Sequence, residues 1–220
     1  MRIIHISDTH GTFPTLPEGD LVVHSGDFCP NASRGNLQIE PSFQTNWLRT
    51  RVETFREWLG GRPLLLCNGN HDFVLAAQVL ADLGVNAIDL TNKFVAFQGI
   101  NFYGFPYIPF IAGEWNYELM PQDMVDEMRR MRLKLADAPA PVDILVAHAP
   151  PWGICDFDPK YKQHFGNSVL TNSLVYGQFE PAPKHIFSGH IHQANGYDEI
   201  LGVKVSQAGT VIHVIEWNHV

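Results

Sequence analysis

Arg2-Ile3-Ile4-His5-Ile6-Ser7, followed at once by Asp8-Thr9-His10-Gly11, is the stretch that decides the fold. Its apolar, β-branched half reads as a short strand, and it ends in a turn that carries a carboxylate and an imidazole. The same pattern recurs along the chain. Asp20–Ser25 runs into Gly26-Asp27, Pro63–Cys67 into Gly69-Asn70-His71-Asp72, Val142–Ala147 into His148, and His185–Ser188 into Gly189-His190-Ile191-His192. Runs this apolar suit strands covered on both faces, as in a sheet flanked by helices. Loops leaving the carboxyl ends of such strands converge, however far apart they lie in sequence. Strand ends therefore gather Asp8, His10, Asp27, Asn70, His148, His190 and His192, with His71 beside them.

The intervening segments carry helical periodicity. A helix is expected near Gln44–Leu59, where Leu48, Val52, Phe55 and Leu59 share a stripe that Trp47 and Trp58 broaden. Gly60-Gly61 stops it. A second helix is expected over Phe73–Leu83 and a third over Pro121–Ala136, with Met124, Met128, Met131 and Leu135 on one face. In that third helix acids precede bases, an order that suits the helix dipole. Lys93–Phe97, Ile100–Tyr103, Val203–Ser206 and Val211–Trp217 read as further strands. Strand and helix alternate before a β-rich end, so the expectation is α/β with a mixed sheet or two sheets. No linker, repeat or low-complexity segment divides the chain, and residues 1–220 read as a single domain.

Composition narrows the partners. With 45% hydrophobic and 17% charged residues, the chain can bury a core and does not resemble a disordered one. A net charge of −8 speaks against long nucleic acid as a partner, since binding a polyanion needs clustered Lys and Arg. No run is long enough to span a bilayer. The first residues show no signal-peptide block, and three cysteines are too few for a disulfide framework. A cytoplasmic setting is the expectation.

Carboxylates and imidazoles without a cysteine pair suit Mn, Fe or Zn in divalent or mixed-valence form, and the donors suffice for two ions if one carboxylate bridges. Two metals about 3.5–4 Å apart can clamp a phosphate for in-line attack. Other histidines read differently. His5, His24 and His213 sit among apolar neighbours as hydrogen-bonded core residues, while His164 lies in a polar loop and is open between a surface residue and one that reaches a phosphate. Cys29 reads as packing, with oxidation or soft-ion binding as the alternative. The aromatic stretch Phe102, Tyr103, Phe105, Tyr107, Phe110, Trp115 and Tyr117 has three readings: core, a wall that stacks on a ring, or a surface buried between copies of the chain. We expect part of it in the core and the rest as a wall for an aromatic leaving group.

The blocks Asp8-Thr9-His10, Gly26-Asp27, Gly69-Asn70-His71-Asp72, His148 and Gly189-His190-Ile191-His192 occur in the order of the calcineurin-like metallophosphoesterases, which this chain resembles over nearly its whole length. The resemblance implies two mixed β-sheets packed face to face with helices outside. It also implies roles: Asp8, His10 and His192 on a first metal, Asn70, His148 and His190 on a second, and Asp27 bridging them. A bridging hydroxide would attack phosphorus, and His71 would protonate the leaving group. Two departures matter. Family members often carry an acid or amide three residues after the bridging aspartate, to pair with the counterpart of His71. Here that position is Pro30, leaving Asp72, Asn31 or water to orient the ring. The family's protein phosphatases also carry arginines after the second and third blocks. None occurs in Phe28–Ala32 or Phe73–Gln78, so phosphoprotein is not the expected substrate. Gly104-Phe105-Pro106-Tyr107 and His148-Ala149-Pro150-Pro151 resemble the small cyclic-nucleotide-phosphodiesterase-like branch. The function expected is hydrolysis of small phosphodiesters, with cyclic or other nucleotides as candidates and a homo-oligomer allowed. Phosphomonoester hydrolysis on the same site is the alternative, and a non-catalytic scaffold of the same fold a more remote one.

Overall fold

The computed structural model describes residues 1–218. In chain order, β1 (Arg2–Ile6) and β2 (Leu21–His24) precede α1 (Glu40–Arg49) and α2 (Val52–Leu59), then β3 (Leu64–Leu66), α3 (Ala76–Asp82) and β4 (Ala87–Asp89). A hairpin of β5 (Phe94–Phe97) and β6 (Ile100–Phe105) follows, and then a ribbon of β7 (Ile108–Pro109) and β8 (Glu118–Leu119), α4 (Pro121–Ala136) and β9 (Ile144–Ala147). A second ribbon, β10 (Phe157–Asp158) and β11 (Gln163–His164), leads to α5 (Ser168–Val175). The last strands are β12 (His185–Ser188), β13 (Gly196–Ile200), β14 (Val203–Gln207) and β15 (His213–Glu216).

These strands form two mixed sheets, as expected. The first has the order β15-β1-β2-β3-β4, with only β15 antiparallel to its neighbour. The second has the order β13-β14-β12-β9-β6-β5, parallel except for its two edge pairs. Alternation along each strand divides the core into layers. Ile3, Leu21, Val23 and Leu65 of the first sheet meet Phe102, Ile144, Val146 and Phe187 of the second in one buried cluster between the sheets. On the other face of the first sheet, Ile4, Val22, Leu64 and Leu66 pack with Leu48, Phe55 and Leu80 of α1, α2 and α3. On the far face of the second, Tyr103, Leu145 and Val205 pack with Met124, Met128 and Met131 of α4 and Leu170 of α5. The order of layers is helices, sheet, sheet, helices. It explains why the strands read as apolar on both faces.

The helices differ from expectation in three places. The helix expected at Gln44–Leu59 begins at Glu40 and breaks after Arg49. The Thr50 hydroxyl donates back to the carbonyls of Asn46 (2.9 Å) and Trp47 (3.2 Å), competing with the ladder, and Arg51 leaves helical geometry. The break re-aims Val52, Phe55 and Leu59, so that the apolar stripe still meets the sheet. Second, α3 starts three residues later than expected, because the chain from Asn70 to Phe73 is held by side chains rather than by a helical ladder. Third, α5 carries little amphipathic signal, and its start is marked by Asn167, whose Oδ1 accepts from the N–H groups of Val169 and Leu170.

Candidate metal centre

Three of the five strand ends deliver their side chains through strained turns. Asp8, His10, Asp27 and His190 have positive φ values of 53°, 44°, 59° and 69°, a left-handed region that non-glycine residues seldom adopt. Glycine clears the space around them. A Cβ at Gly69 would stand 2.6 Å from Nε2 of His148 and collide with Oδ1 of Asp27.

The loops bring all the predicted donors together, in two clusters. Asp8, His10 and His192 form one, and Asp27, His148 and His190 the other, with each group's donor atoms within 4.8 Å of one another; His10, Asp27 and His71 form a third such group that links the two. In the first, Nε2 of His10 lies 3.2 Å from Nε2 of His192, which is 3.3 Å from Oδ1 of Asp8. In the second, Nε2 of His148 lies 3.2 Å from Oδ1 of Asp27 and 3.1 Å from Oδ1 of Asn70. The other oxygen of Asp27, Oδ2, is 3.9 Å from both His10 and His71. Ligands about 2.1 Å from a shared cation stand about 3.0–3.4 Å apart at octahedral to tetrahedral angles, so the spacing fits a divalent ion.

Electrostatics make the same case. Asp8 and Asp27 are 4% and 1% exposed, and two carboxylates this buried and close need positive charge between them. Burial alone would raise Asp27, but His148, His71 and His10 outweigh it and hold the carboxyl well below its usual range. Burial works against charging His148, yet Asp27 and Asp8 push it up to about 9. These shifts favour a positive charge among these groups, which a metal ion would supply in place of a proton. His190, by contrast, is driven down to about 3 by burial and by His148, which leaves the neutral ring a metal requires. Nδ1 of His148 donates to the carbonyl of Ser25 (2.8 Å), turning Nε2 toward the cluster.

His71 lies at the edge of both clusters, and its orientation answers the question left by Pro30. Nδ1 is 2.6 Å from Oδ1 of Asn31, whose Nδ2 donates to the carbonyl of His71 itself (3.1 Å). The amide sits one residue beyond the expected position. Asp72 does different work: fully buried, it accepts from the N–H groups of Phe28, Cys29 and Gly69 and ties the second and third loops together. Burial, with Asp72 nearby, holds the Cys29 thiol well above its ordinary range, which makes it an inert packing group.

Several supports escaped sequence reading. Gln44 of α1, fully buried, donates to the carbonyl of His71 (2.7 Å) and accepts from the N–H of Phe73 (2.7 Å). A buried amide on an apolar helix stripe was the available signal. Asn116 accepts no such notice in sequence, yet it clamps Asn70 and Asp72 through their carbonyls. The aromatic stretch divides: Phe102, Tyr103 and Phe105 are core, and Tyr107 packs on Phe105 and Tyr117 and takes a hydrogen bond from Asn92. Only Trp115 faces the centre, with its ring centroid 4.0 Å from that of His71. His5 is a core residue as expected, bonded to Ser206 and Ser25, and His24 bonds Thr9.

Fold and donor set together define the class: an α/β sandwich with a candidate divalent-metal centre at its strand ends. The chain belongs to the calcineurin-like phosphoesterase family, whose model matches residues 1–194. The metallophosphoesterase domain-containing protein 1 of Homo sapiens is 29% identical over 89% of this chain and 61% of its own length, and the Mus musculus protein matches equally. A UPF0046 protein of Caenorhabditis elegans is 26% identical over 89% of this chain and 70% of its own length. The chain thus spans about three fifths of the first of these relatives. A solved crystal structure with 15% identity shares the fold, with a TM-score of 0.64 over 99% of each chain. Among the described residues, no helix is long and apolar enough to cross a membrane.

Proposed function

We propose that the chain is a metal-dependent hydrolase of small phosphodiesters, acting through a dinuclear centre. Asp8, His10 and His192 would hold one ion, Asn70, His148 and His190 the other, and Asp27 both. The observation that carries this reading is Asp27, whose Oδ1 faces His148 while Oδ2 faces His10. Bound there, Mn, Fe or Zn ions supply Lewis acidity to phosphoryl oxygens and lower the pKa of water. Asn31 accepts from Nδ1 of His71 and so aims Nε2 into the centre rather than at solvent. A proton stands at Nε2 only when the ring is an imidazolium, a form that burial disfavours and Asp27 beside it favours. From there it can pass to a departing alkoxide. Trp115 lies against the same ring and shields it from water on one side. No arginine in residues 28–32 or 73–78 supplies a second anchor for a phosphoprotein, and a net charge of −8 speaks against long polyanions.

The test is turnover by metal-stripped protein reloaded with Mn, on an aryl phosphodiester and the matching monoester. Preference for the diester of about tenfold or more supports the reading. Preference for the monoester makes the chain a small-molecule phosphatase. Silence on both, with metal bound in two-to-one ratio, favours the scaffold.

A further inference from the structure

The segment between β9 and α5 holds a side-chain cluster that the centre does not use. Asp156 is 1% exposed, and its Oδ1 lies 2.5 Å from Nδ1 of His164 while Oδ2 accepts from the N–H of Gly166 (2.9 Å). A buried carboxylate committed in this way holds one imidazole in one orientation. The His164 side chain is 39% exposed, with Nδ1 engaged and, among the described residues, no hydrogen-bond partner at Nε2. Its ring packs against those of Trp152 and Phe157, with a centroid separation of 5.3 Å in each case. Those two side chains are 50% and 46% exposed, large apolar surfaces left facing solvent. A surface ion pair needs neither a buried acid nor flanking aromatics.

Its position ties the cluster to the centre. Trp152 follows His148 by four residues, so their Cα atoms are at most about 15 Å apart. A Cβ at Gly196, four residues after His192, would lie 3.6 Å from Sγ of Cys155. The cluster is therefore flanked by the chain that leaves two of the donor-bearing strand ends.

We propose that Trp152, Phe157 and the Asp156–His164 pair form a nucleoside subsite, which rests on the reading of the centre as a phosphoesterase. An aromatic base would lie against the exposed indole, since stacking accepts any base. With Nδ1 held by Asp156, His164 turns Nε2 outward as a hydrogen-bonding partner for a sugar hydroxyl, which can donate or accept. Base and sugar are then read by side chains that belong to one loop, while the phosphate is read by the strand ends.

Binding decides this without turnover. Calorimetry on Mn-loaded protein would compare adenosine monophosphate with inorganic phosphate, for wild type, Trp152→Ala and His164→Gln. Both side chains are part-exposed, and thermal melts would show that the variants stay folded. The nucleotide should bind wild type about tenfold more tightly than phosphate, and each variant should lose most of that margin while its phosphate affinity is unchanged. Kinetics add a second readout: KM for thymidine p-nitrophenyl phosphate should rise in both variants with kcat held, and constants for methyl p-nitrophenyl phosphate should not move. Equal wild-type affinity for nucleotide and phosphate, or variants that lose both alike, would overturn the subsite. Turnover of neither diester, with the nucleotide margin intact, would instead count against the phosphodiesterase reading.

Discussion

At Asp27 one carboxylate oxygen lies 3.2 Å from His148 and the other 3.9 Å from both His10 and His71, so a change there touches both clusters at once. Asp27→Asn keeps the shape and removes the charge. It should lower turnover by about a thousandfold or more and reduce bound metal at both positions, measured by elemental analysis beside kcat. Full metal content with full turnover would sink the dinuclear reading. Asn31 acts one step back. Asn31→Ala frees the His71 ring and should cost about 10–100-fold in kcat with metal content intact, while Asn31→Asp, which still accepts from Nδ1, should recover most of it. If alanine and aspartate variants behave alike, Asn31 does not position His71.

Elements set where these residues can stand. The loops that leave β1, β2, β3, β9 and β12 approach so closely that backbone and donors share space, as at Gly69. Gly69→Ala should lose metal binding while the far helices stay folded, a result visible as native circular dichroism with depleted metal. On the opposite face of the second sheet, α4 contributes Met124, Met128 and Met131, each 2% exposed or less. Met128→Ala leaves a cavity there and should destabilise the fold by about 2–5 kcal/mol in denaturant titration, with KM unchanged. The break after Arg49 shows how an element can depart from its pattern without losing its packing. Thr50 turns the helix, yet Leu48 and Phe55 both end fully buried.

For the whole molecule, buried histidines and buried carboxylates set the response to acid and to chelation. Burial lowers His185 to about 4, with Lys204 and Lys184 adding to it, and burial with His213 and His24 holds His5 well below 6.5. Because these folded-state values are depressed, the unfolded chain takes up protons that the folded one refuses. The stability they contribute is full above pH 6.5 and falls as pH drops toward 4. His185→Gln should therefore lose less stability than wild type between those limits, and equal losses in parallel urea titrations would contradict the assignment. Metal removal should lower Tm, because a cation that binds only the folded state stabilises it by about 2.7 kcal/mol at a hundredfold excess over Kd. Scanning calorimetry with and without Mn reads this directly.

Much of this protein was legible from residue order. Apolar runs mark strands, and a strand's own end determines which side chain it presents, so Asp8, Asp27, Asn70, His148, His190 and His192 could be placed at one edge of an α/β fold from sequence alone; the sandwich itself was implied by the family resemblance. That information is local: a few residues of periodicity and the turn chemistry that follows. Asn31 could be named only as one of three candidates for His71, and Gln44 and Asn116 not at all as supports. Trp115 could not be separated from Tyr107, nor the Asp156–His164 pair found. Each depends on two segments meeting in space: α1 against the third loop, the aromatic stretch against His71, and β10 against β11. Only the tertiary structure decided them, because a contact between distant segments depends on how sheets and loops pack, and no short-range pattern encodes that geometry.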